Sequence, residues 1–414
     1  MTAYKQTELG LIPSDWEVVA LGDIFEFKNG LNKAKEFFGY GSPIVNYMDV
    51  YKDVKITENS LSGLVCVDKT EKKNYSAKKG DVFFTRTSET VDEIGLSSVL
   101  LDDVTDAVFS GFVLRARQKQ NTFISEFMPY LFRNNVIRKQ ITSTASYTTR
   151  ALTNGSLLSK IIAPLPPKPE QTAIATALSD TDALLAELEK LLAKKQAIKT
   201  ATMQQLLTGK TRLPEFAHRA DGTPKGSLQT EWGDIPEDWE VVALGDVAFI
   251  KTGSKNNQDK KENGQYPFFV RSATVEKINS YSYDCEAILI PGEGGIGSIF
   301  HYIDGKFDAH QRVYVIRDFK NVIGKFVFYS LKQNFGKHAL ENTVKATVDS
   351  LRLPTFQKFN FVVPKSTTEQ TAIAQILGDM DSEITALQAR IEKVREIKQG
   401  MMQNLLTGKI RLSF

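Results

Sequence analysis

Apolar residues recur at alternating steps of three and four along two long stretches of the chain. In the second stretch they are Ile373, Leu377, Met380, Ile384, Leu387, Ile391 and Val394, and the series continues through Met401 to Leu405. In the first stretch they are Ile174, Leu178, Leu185, Leu188 and Leu192, with Leu206 further on. This spacing is typical of the contact line of a coiled coil. It predicts two helices of about 40 residues, each roughly 60 Å long at 1.5 Å per residue.

The distribution of charge along these two helices favours antiparallel pairing. Residues 170–186 carry three acids and no base, and residues 369–385 carry four acids and no base. Residues 187–210 and 386–409 each carry five bases and two acids, a net charge of +3. Antiparallel pairing places each acidic half against a basic half, and the acids lie at the helix ends where the dipole favours them. The alternative is two independent amphipathic helices, each packed on its own domain.

Three motifs occur twice, and dissimilar segments lie between them. The motif IPxDWEVVALGD covers 12–23 and 235–246, EQTAIA covers 170–175 and 369–374, and LLTGK covers 206–210 and 405–409. The first motif repeats at an offset of 223 residues and the other two at 199, so the dissimilar segments differ in length by 24 residues. A duplicated frame with unlike inserts can present two different binding surfaces.

The segments between the motifs combine strand-like runs with helical patterns. The strand-like runs are 81–84, 99–101, 112–114, 287–290 and 313–316, and the helical patterns are 124–134 and 323–333. We therefore predict an α+β fold with two mixed α/β domains in pseudo-two-fold symmetry, joined by two long antiparallel coiled-coil helices. The predicted boundaries are 1–165 for the first domain, 166–212 for the first helix, 213–234 for a linker, 235–364 for the second domain and 365–414 for the second helix.

Composition narrows the class of protein. The 414 residues carry a net charge of +3, which neither proves nor opposes a nucleic-acid partner. Cys66 and Cys285 are the two cysteines, so neither a disulfide framework nor a cysteine zinc site is expected. The four histidines lack metal-ligand spacing, so we expect no metal site. Because the sequence shows no signal-peptide pattern and no apolar run of membrane-spanning length, we expect a cytoplasmic protein.

Two short motifs resemble nucleotide-binding sequences but fail in their context. Residues 292–297 fit the pattern G-x-G-x-x-G, yet residues 298–303 look like a strand rather than the required helix. We expect a glycine-rich turn or a DNA-facing loop there. Residues 209–211 read GKT, but Gln204 stands where a P-loop has its first glycine. Gly209 is better explained as the C-terminal stop of a helix, and we expect no catalytic residues in this chain.

The repeated motifs and their order resemble the specificity (S) subunit of type I restriction–modification enzymes. The resemblance covers nearly the whole chain. It implies two target-recognition domains that each read one half of a bipartite asymmetric DNA site, with the helix pair as a ruler between them. It also implies two DNA methyltransferase (modification) subunits carrying S-adenosylmethionine, and restriction/translocase subunits that use ATP. In this interpretation the S subunit is not an enzyme and holds no cofactor of its own.

Candidate DNA-contacting residues are polar or basic side chains in predicted loops, because base edges in the major groove are read by such groups. In the first domain they are Arg86, Thr87, Ser88, Ser146, Tyr147, Thr148, Thr149 and Arg150. In the second they are Lys255, Asn256, Asn257, Arg271, Ser272, His310, Arg312, Asn342, Lys345 and Thr347. For any single residue, a solvated loop position is as good an explanation.

Two other functions are compatible with the same sequence. One is the specificity subunit of a related system in which methylase and nuclease share one polypeptide. The other is a helical scaffold that presents two protein-binding domains and binds no DNA.

Overall fold

A computed structural model of the protein describes residues 3–147, 150–342 and 350–412. Contacts between Cα atoms divide the chain into two units. The first unit comprises Met1–Glu189 and Arg390–Phe414, and the second comprises Lys190–Ala389. Each unit therefore contains one mixed α/β region, the N-terminal part of one long helix and the C-terminal part of the other.

In the part of the first unit that the structure describes, short strands alternate with short helices. The strands are β1 (Tyr4–Thr7), β2 (Gly10–Pro13), β3 (Glu17–Ala20), β4 (Phe25–Asn29), β5 (Phe38–Val45), β6 (Lys55–Ile56), β7 (Leu64–Val65), β8 (Val82–Thr85), β9 (Thr87–Ser88), β10 (Ser97–Leu100), β11 (Val108–Phe109), β12 (Val113–Gln118), β13 (Ser146–Tyr147), β14 (Ala151–Leu152) and β15 (Ile162–Leu165). The helices are α1 (Leu21–Ile24), α2 (Tyr47–Lys52), α3 (Lys69–Asn74), α4 (Met128–Arg133), α5 (Asn135–Thr144), α6 (Gly155–Leu158) and the start of α7 (Lys168–Leu206).

The central sheet of the first unit has five strands in the order β4-β12-β8-β10-β6. It is buried on both faces. Val82 and Phe84 pack into one core cluster, whereas the intervening Phe83 packs into another. Because successive side chains of a strand point to opposite faces, a strand covered on both sides reads as a continuous apolar run. This explains why the sequence around β8 is apolar without alternation.

The described part of the second unit repeats this order of elements with fewer strands. The strands are β16 (Ser227–Thr230), β17 (Gly233–Pro236), β18 (Trp239–Ala243), β19 (Phe249–Thr252), β20 (Tyr266–Phe269), β21 (Val275–Ile278), β22 (Tyr283–Pro291), β23 (His301–Ala309), β24 (Val313–Arg317) and β25 (Asn360–Pro364). The helices are α8 (Leu244–Val247), α9 (Gly324–Glu341), α10 (Leu353–Gln357) and the start of α11 (Thr367–Leu405). One sheet has six strands in the order β19-β24-β22-β23-β20-β21.

The two long helices confirm the prediction from apolar spacing. Helices α7 and α11 each run without a break for 39 residues. On the predicted contact line, the buried residues are Ile174, Leu178, Leu188, Ile373, Leu377, Ile391 and Val394, and the half-buried ones are Leu185, Leu192, Met380, Ile384 and Leu387. Four of the buried positions, near the N-terminal ends of the helices, also belong to the hydrophobic cores of the two units: Ile174 and Leu178 in the first, and Ile373 and Leu377 in the second.

Within each unit the two helical segments run antiparallel, as the charge pattern predicted. In the first unit Arg395 pairs with Glu189 and Lys398 pairs with Asp182, both at 2.5 Å. In the second unit Lys195 pairs with Glu383 at 2.7 Å, and Lys199 pairs with Asp381. As the residue number rises along one helix it falls along the other. The α+β fold class is confirmed, and the independent-helix alternative is wrong.

Asp182 forms the centre of a polar cluster that fixes this pairing in the first unit. Its carboxylate accepts hydrogen bonds from Tyr130 at 2.7 Å and Lys55 at 3.2 Å, besides the ion pair with Lys398. Burial acts to raise the pKa of Asp182, but the hydrogen bonds from Lys398 and Tyr130 outweigh it and hold the pKa below the usual value for an aspartate. A carboxyl whose pKa is lowered on folding stabilises the fold above its unfolded pKa, and this stabilisation is lost as the pH falls through the folded value.

We therefore predict that Asp182→Asn destabilises the protein in a pH-dependent way. At neutral pH the loss should be about 1–3 kcal/mol, as for hydrogen bonds to a charged group. The difference from wild type should begin to narrow as the pH falls below about 5, because Asp182 is then protonated first in the unfolded state, and it should vanish only below the lowered pKa of the folded state. Urea midpoints across this range measure the effect. Asp180→Asn, at an exposed position of the same helix, is the control, and an undiminished difference at about pH 3 would contradict the prediction.

The three repeated motifs meet at one place in each unit, which we call the motif corner. In the first unit it consists of Asp15, Trp16, Glu170, Gly408 and Arg411. The Trp16 indole donates to buried Glu170 at 2.8 Å, and Arg411 contacts Glu170 at 2.6 Å and Asp15 at 2.8 Å. The first copies of two motifs thus combine with the second copy of the third.

The second unit contains the corresponding motif corner from the opposite copies: Gly209, Arg212, Asp238, Trp239 and Glu369. Arg212 contacts Glu369 at 2.7 Å and Asp238 at 2.8 Å, and the Trp239 indole donates to Glu369 at 3.3 Å. Burial acts against the charge of Arg212, but its hydrogen bonds to Asp238 and Glu369 outweigh burial and raise its pKa. The motifs are therefore structural, and they close each unit around the ends of both long helices.

The glycine of LLTGK is required at both motif corners, because its backbone has a positive φ and because there is no room for a side chain. Gly209 and Gly408 have φ of 70° and 69°, so each ends a helix in the left-handed conformation. This confirms the expected helix stop. A Cβ on Gly408 would lie 2.3 Å from Cδ of Pro13, and one on Gly209 would lie 2.6 Å from Cδ of Pro236.

We predict that Gly408→Ala destabilises the first unit by about 2 kcal/mol or more, because alanine is strained at positive φ and its methyl meets Pro13. Gly400 is the matched control, since it lies inside α11 with nothing within 4 Å of a Cβ. Gly400→Ala should stabilise the protein by about 0.5–1 kcal/mol. Chemical unfolding of both variants provides the measurement. Equal effects of the two substitutions would argue against this account.

Several local predictions need correction. The helix predicted over 124–134 begins later, at Met128, and after a break at Asn134 continues as α5 to Thr144. The side chain of Asn134 accepts from the Val136 N–H and caps the second helix, which explains the break. The helix predicted over 323–333 extends to Glu341. The strand predicted over 298–303 begins only at His301.

Candidate nucleic-acid interface

In the first unit, several predicted contact residues line one cleft of about 420 Å³. They are Thr87, Ser88 and Arg150, and they lie beside Tyr47, Met48, Tyr51, Glu89, Glu93 and Phe112. Thr87 and Ser88 form β9, which pairs with β14, and β14 pairs with β13, where Ser146 and Tyr147 lie. A small three-stranded sheet therefore brings the two predicted polar segments together. Thr148 and Thr149 lie outside the described residues.

Two of the predicted contact residues of the first domain, Arg86 and Ser88, form hydrogen bonds within the protein. Arg86 is half-buried, and its Nη1 donates to the Gly111 carbonyl oxygen at 2.8 Å. Ser88 is buried, and its hydroxyl donates to Glu93 at 3.3 Å. Arg86 therefore supports the loop that carries Phe112. That Arg86 and Ser88 contact DNA remains a prediction.

The aromatic residues of this cleft were not among the residues predicted from the sequence. Phe112 is 69% exposed, and the Tyr47 and Tyr51 rings stack with centroids 5.9 Å apart. Phe112 follows Gly111 directly before β12. The apolar run predicts a strand over 112–114 that includes Phe112, whereas β12 begins at Val113. The Ser110-Gly111 dipeptide directly before Phe112 is the sequence signal that could have indicated a loop at this position.

The second unit also contains a cleft, with a volume of about 440 Å³. It is lined by Asn257, Lys260, Val270, Arg271, Ser272, Glu276, Glu293 and Gly294. Arg271 and Arg312 both contact Glu293, at 3.4 Å and 3.0 Å. The structure thus brings together three predicted residues, Arg271, Ser272 and Asn257, and places Arg312 beside them. Glu293 is an acid that the sequence reasoning missed.

Lys255, Asn256 and His310 form the adjoining edge of this face. The backbones of Lys255 and His310 form a parallel bridge, and Asn256 accepts a hydrogen bond from Gln311 at 2.6 Å. His310 is buried, and its Nδ1 accepts the Arg312 backbone N–H at 3.0 Å. Burial, with the nearby charges of Arg271 and Arg312, lowers the pKa of His310. The imidazole is therefore neutral at physiological pH, which leaves Nδ1 free to accept.

The remaining predicted residues of the second domain do not join this cleft within the described part of the chain. Asn342 lies at the C-terminal end of α9, where its side-chain amide donates to the His338 carbonyl oxygen at 2.8 Å. Lys345 and Thr347 lie outside the described residues.

The glycine-rich segment 292–297 is a turn beside the cleft. Gly294, Gly295 and Gly297 all have positive φ. The following element is the strand that begins at His301, so the segment lacks the helix that a dinucleotide site requires. The expected glycine-rich turn is observed, and its Glu293 faces two arginines.

Across residues 3–147, 150–342 and 350–412, no group of three or more His, Cys, Asp or Glu side chains is arranged to hold a metal ion. Within the same described residues, the helices are too short or too polar to cross a membrane.

Comparison with known proteins identifies the class. The family described as the type I restriction modification DNA specificity domain matches residues 13–200 and 236–396. The chain belongs to this family. The putative type I restriction enzyme MjaX specificity subunit of Methanocaldococcus jannaschii is 28% identical over 99% of this chain and 97% of its own length. The type I restriction enzyme EcoDI specificity subunit of Escherichia coli is 34% identical over 42% of this chain and 38% of its own length.

Solved structures show the same architecture. The crystal structure of a type I restriction-modification system S subunit from M. genitalium has a TM-score of 0.60 at 15% identity, covering 94% of this chain and 96% of that chain. The HsdS subunit from Thermoanaerobacter tengcongensis has a TM-score of 0.50 at 17% identity, covering 96% and 98%. At these identities the likeness concerns the fold.

Membership of the family defines the function. The chain is a non-catalytic specificity subunit that recognises DNA sequence in a type I restriction–modification system. It binds DNA and forms a complex with other subunits.

Proposed function

We propose that each unit reads one half of a bipartite asymmetric DNA site through the cleft described above. The observation that supports this most strongly is the difference between the clefts. The first is lined by Phe112, Tyr47 and Tyr51, whereas the second is lined by Arg271, and Arg312 lies beside it in contact with Glu293. Unlike side chains on a repeated frame are suited to unlike base sequences.

We further propose the division of the chain by function. Residues 1–165 and 235–364 are the target-recognition domains, 166–212 and 365–414 are the spacer helices, and 213–234 is the linker. Each long helix has 39 residues, about 58 Å at 1.5 Å per residue. Half-sites one helical turn apart on B-DNA are separated by roughly 34 Å. The helices are long enough to set such a separation.

We also propose the composition of the complex. Two DNA methyltransferase subunits dock on this chain and carry S-adenosylmethionine, and restriction/translocase subunits that use ATP join them. With a net charge of +3, the chain alone neutralises few phosphates, so tight DNA binding requires these partners. Because cellular DNA is the target, we place the complex in the cytoplasm.

Exchange of one recognition domain tests this function. Replacing residues 24–160 with the corresponding region of a relative should change one half-site and leave the other half-site unchanged. The measurement is sequencing of methylated sites in cells that express the complex. A change in both half-sites would contradict independent recognition by the two units. A wild-type complex that binds no DNA in a gel shift with its methyltransferase subunits present would favour the protein scaffold instead.

A further inference from the structure

Two arginines in the second unit share one carboxylate at the edge of the cleft. Arg312 contacts Oε1 of Glu293 at 3.0 Å, and Arg271 contacts Oε2 at 3.4 Å. The carboxylate therefore lies between two guanidinium groups and uses one oxygen on each. A guanidinium has five N–H donors in a fixed planar arrangement. One contact to Glu293 thus leaves most donors of each arginine available.

The exposed fractions of Arg271, Arg312 and Glu293 show that the remaining guanidinium donors are accessible to solvent. Arg312 is 53% exposed and Arg271 is 45% exposed, whereas Glu293 is 21% exposed. The acid is the more buried member and the two bases face the solvent. Arg212 of the same unit is 12% exposed between two carboxylates, as expected for a structural arginine. Arg271 and Arg312 differ from it in having free hydrogen-bonding capacity.

The backbone that carries Arg312 is held on both sides. Its N–H donates to Nδ1 of buried His310 at 3.0 Å, and its carbonyl oxygen accepts from the Gly292 N–H at 2.8 Å. The neighbouring Gln311 N–H donates to the Lys255 carbonyl oxygen at 2.8 Å. The loop is therefore fixed before any ligand binds, which lowers the entropic cost of recognition.

Guanine fits this arrangement better than any other base. Its major-groove edge carries two acceptors, N7 and O6, and a guanidinium can donate to both at once. Each arginine contacts Glu293 through one nitrogen, which restrains the guanidinium and leaves its other N–H groups for a bidentate contact with a base. We infer that Arg312 and Arg271, oriented by Glu293, read guanine in the half-site bound by the second unit. This inference rests on the proposed function of the clefts.

The first unit differs at the same loop position. Phe112 and Arg312 each directly precede the strand that follows the loop, β12 or β24. Phe112 presents an apolar ring that is 69% exposed, and an apolar ring has no donor for guanine. It is suited to contact the thymine methyl group. Phe112→Ala therefore serves as a matched control, because it alters the same loop position in the other unit.

The experiment uses the complete complex with its methyltransferase subunits. The target is first mapped by sequencing methylated sites, and DNA affinity is then measured for every base pair substituted singly in each half-site. Arg312→Lys keeps the positive charge but removes the planar fork, and Arg312→Ala removes both. Each should reduce discrimination at one G·C pair of the second half-site by about 5- to 150-fold.

Glu293→Gln tests the orienting role of the carboxylate. It should weaken discrimination at the same base pair several-fold while thermal unfolding of the complex stays unchanged, since the side chain lies at the edge of an open cleft. The variant Phe112→Ala should leave the second half-site unaltered. All three second-unit variants should still recognise the first half-site. This result would show that the complex is folded.

Two results would overturn the inference. One is a mapped second half-site without a G·C pair. The other is uniform weakening on all sequences with unchanged base preference in Arg312→Lys or Arg312→Ala, because that is how a phosphate contact behaves. Failure of the proposed function is distinguishable, since the wild-type complex would then methylate no defined bipartite site.

Discussion

Replacing Arg411 with alanine should lower the free energy of unfolding by about 3–5 kcal/mol, because the substitution leaves a buried carboxylate without its counter-charge. Glu170 is 1% exposed, and Arg411 contacts both of its oxygens at 2.8 Å and 2.6 Å. Hydrogen bonds to Glu170 and Asp15 raise the pKa of Arg411 well above its usual range. After the substitution, the Trp16 indole remains the neutral donor to Glu170.

A second substitution separates charge from packing. In the double variant Arg411→Ala/Glu170→Gln no charge is buried at the motif corner, and the amide oxygen can still accept from Trp16. This variant should be more stable than Arg411→Ala alone. A double-mutant cycle from denaturant unfolding measures the coupling. Equal stability of the two variants would mean that burial of the unpaired Glu170 charge is not the cause.

Arg395 is the control for surface ion pairs. It contacts Glu189 and Glu392, each at 2.5 Å, but is 49% exposed. Solvent screens such pairs, so Arg395→Ala should destabilise the protein much less than Arg411→Ala. A loss as large as that of Arg411→Ala would show that burial does not distinguish these two arginines.

Lengthening both long helices by four residues should abolish modification of the natural target and create a new target with the same half-sites and a longer spacer. Four residues add about 6 Å at 1.5 Å per residue, or one or two base pairs at roughly 3.4 Å each. They also add about 40° of rotation beyond one full turn. DNA twist of similar size per base pair can absorb this, so we expect a spacer about one base pair longer.

The structure determines where the insertions belong. An insertion near Leu206 would disturb buried Met203, Leu206 and Leu207, which pack in the core of the second unit with Trp239. The positions after Glu189 and after Ala389 avoid this, because there each helix passes from one unit to the other. Both helices must be lengthened, since each connects the same two units through the chain.

Sequencing of methylated sites in cells expressing the insertion variant gives the spacer directly. Four-residue replacements of exposed polar residues at the same positions are the control, and they should leave the natural target unchanged. An unchanged spacer with full activity in the insertion variant would show that the helices do not measure distance on DNA.

The sequence by itself determined the long helices, their antiparallel direction within each unit and the duplicated frame. The periodic signal extends over many turns, so local errors average out, and the acid-to-base gradient opposes parallel pairing in any tertiary context. The strand runs 81–84 and 287–290 were also found, because strands buried on both faces are continuously apolar.

Only the tertiary structure decided which residues meet. Glu170 contacts Arg411 across 241 positions of sequence, and nothing local in either motif specifies that the first copy of one pairs with the second copy of the other. The break between α4 and α5 depends on a cap at Asn134 that periodicity does not register. Glu293 and Phe112 lie on loops, and the paths of these loops depend on strands that are distant in sequence. Their positions at the clefts therefore follow from the packing of those strands and could not be predicted locally.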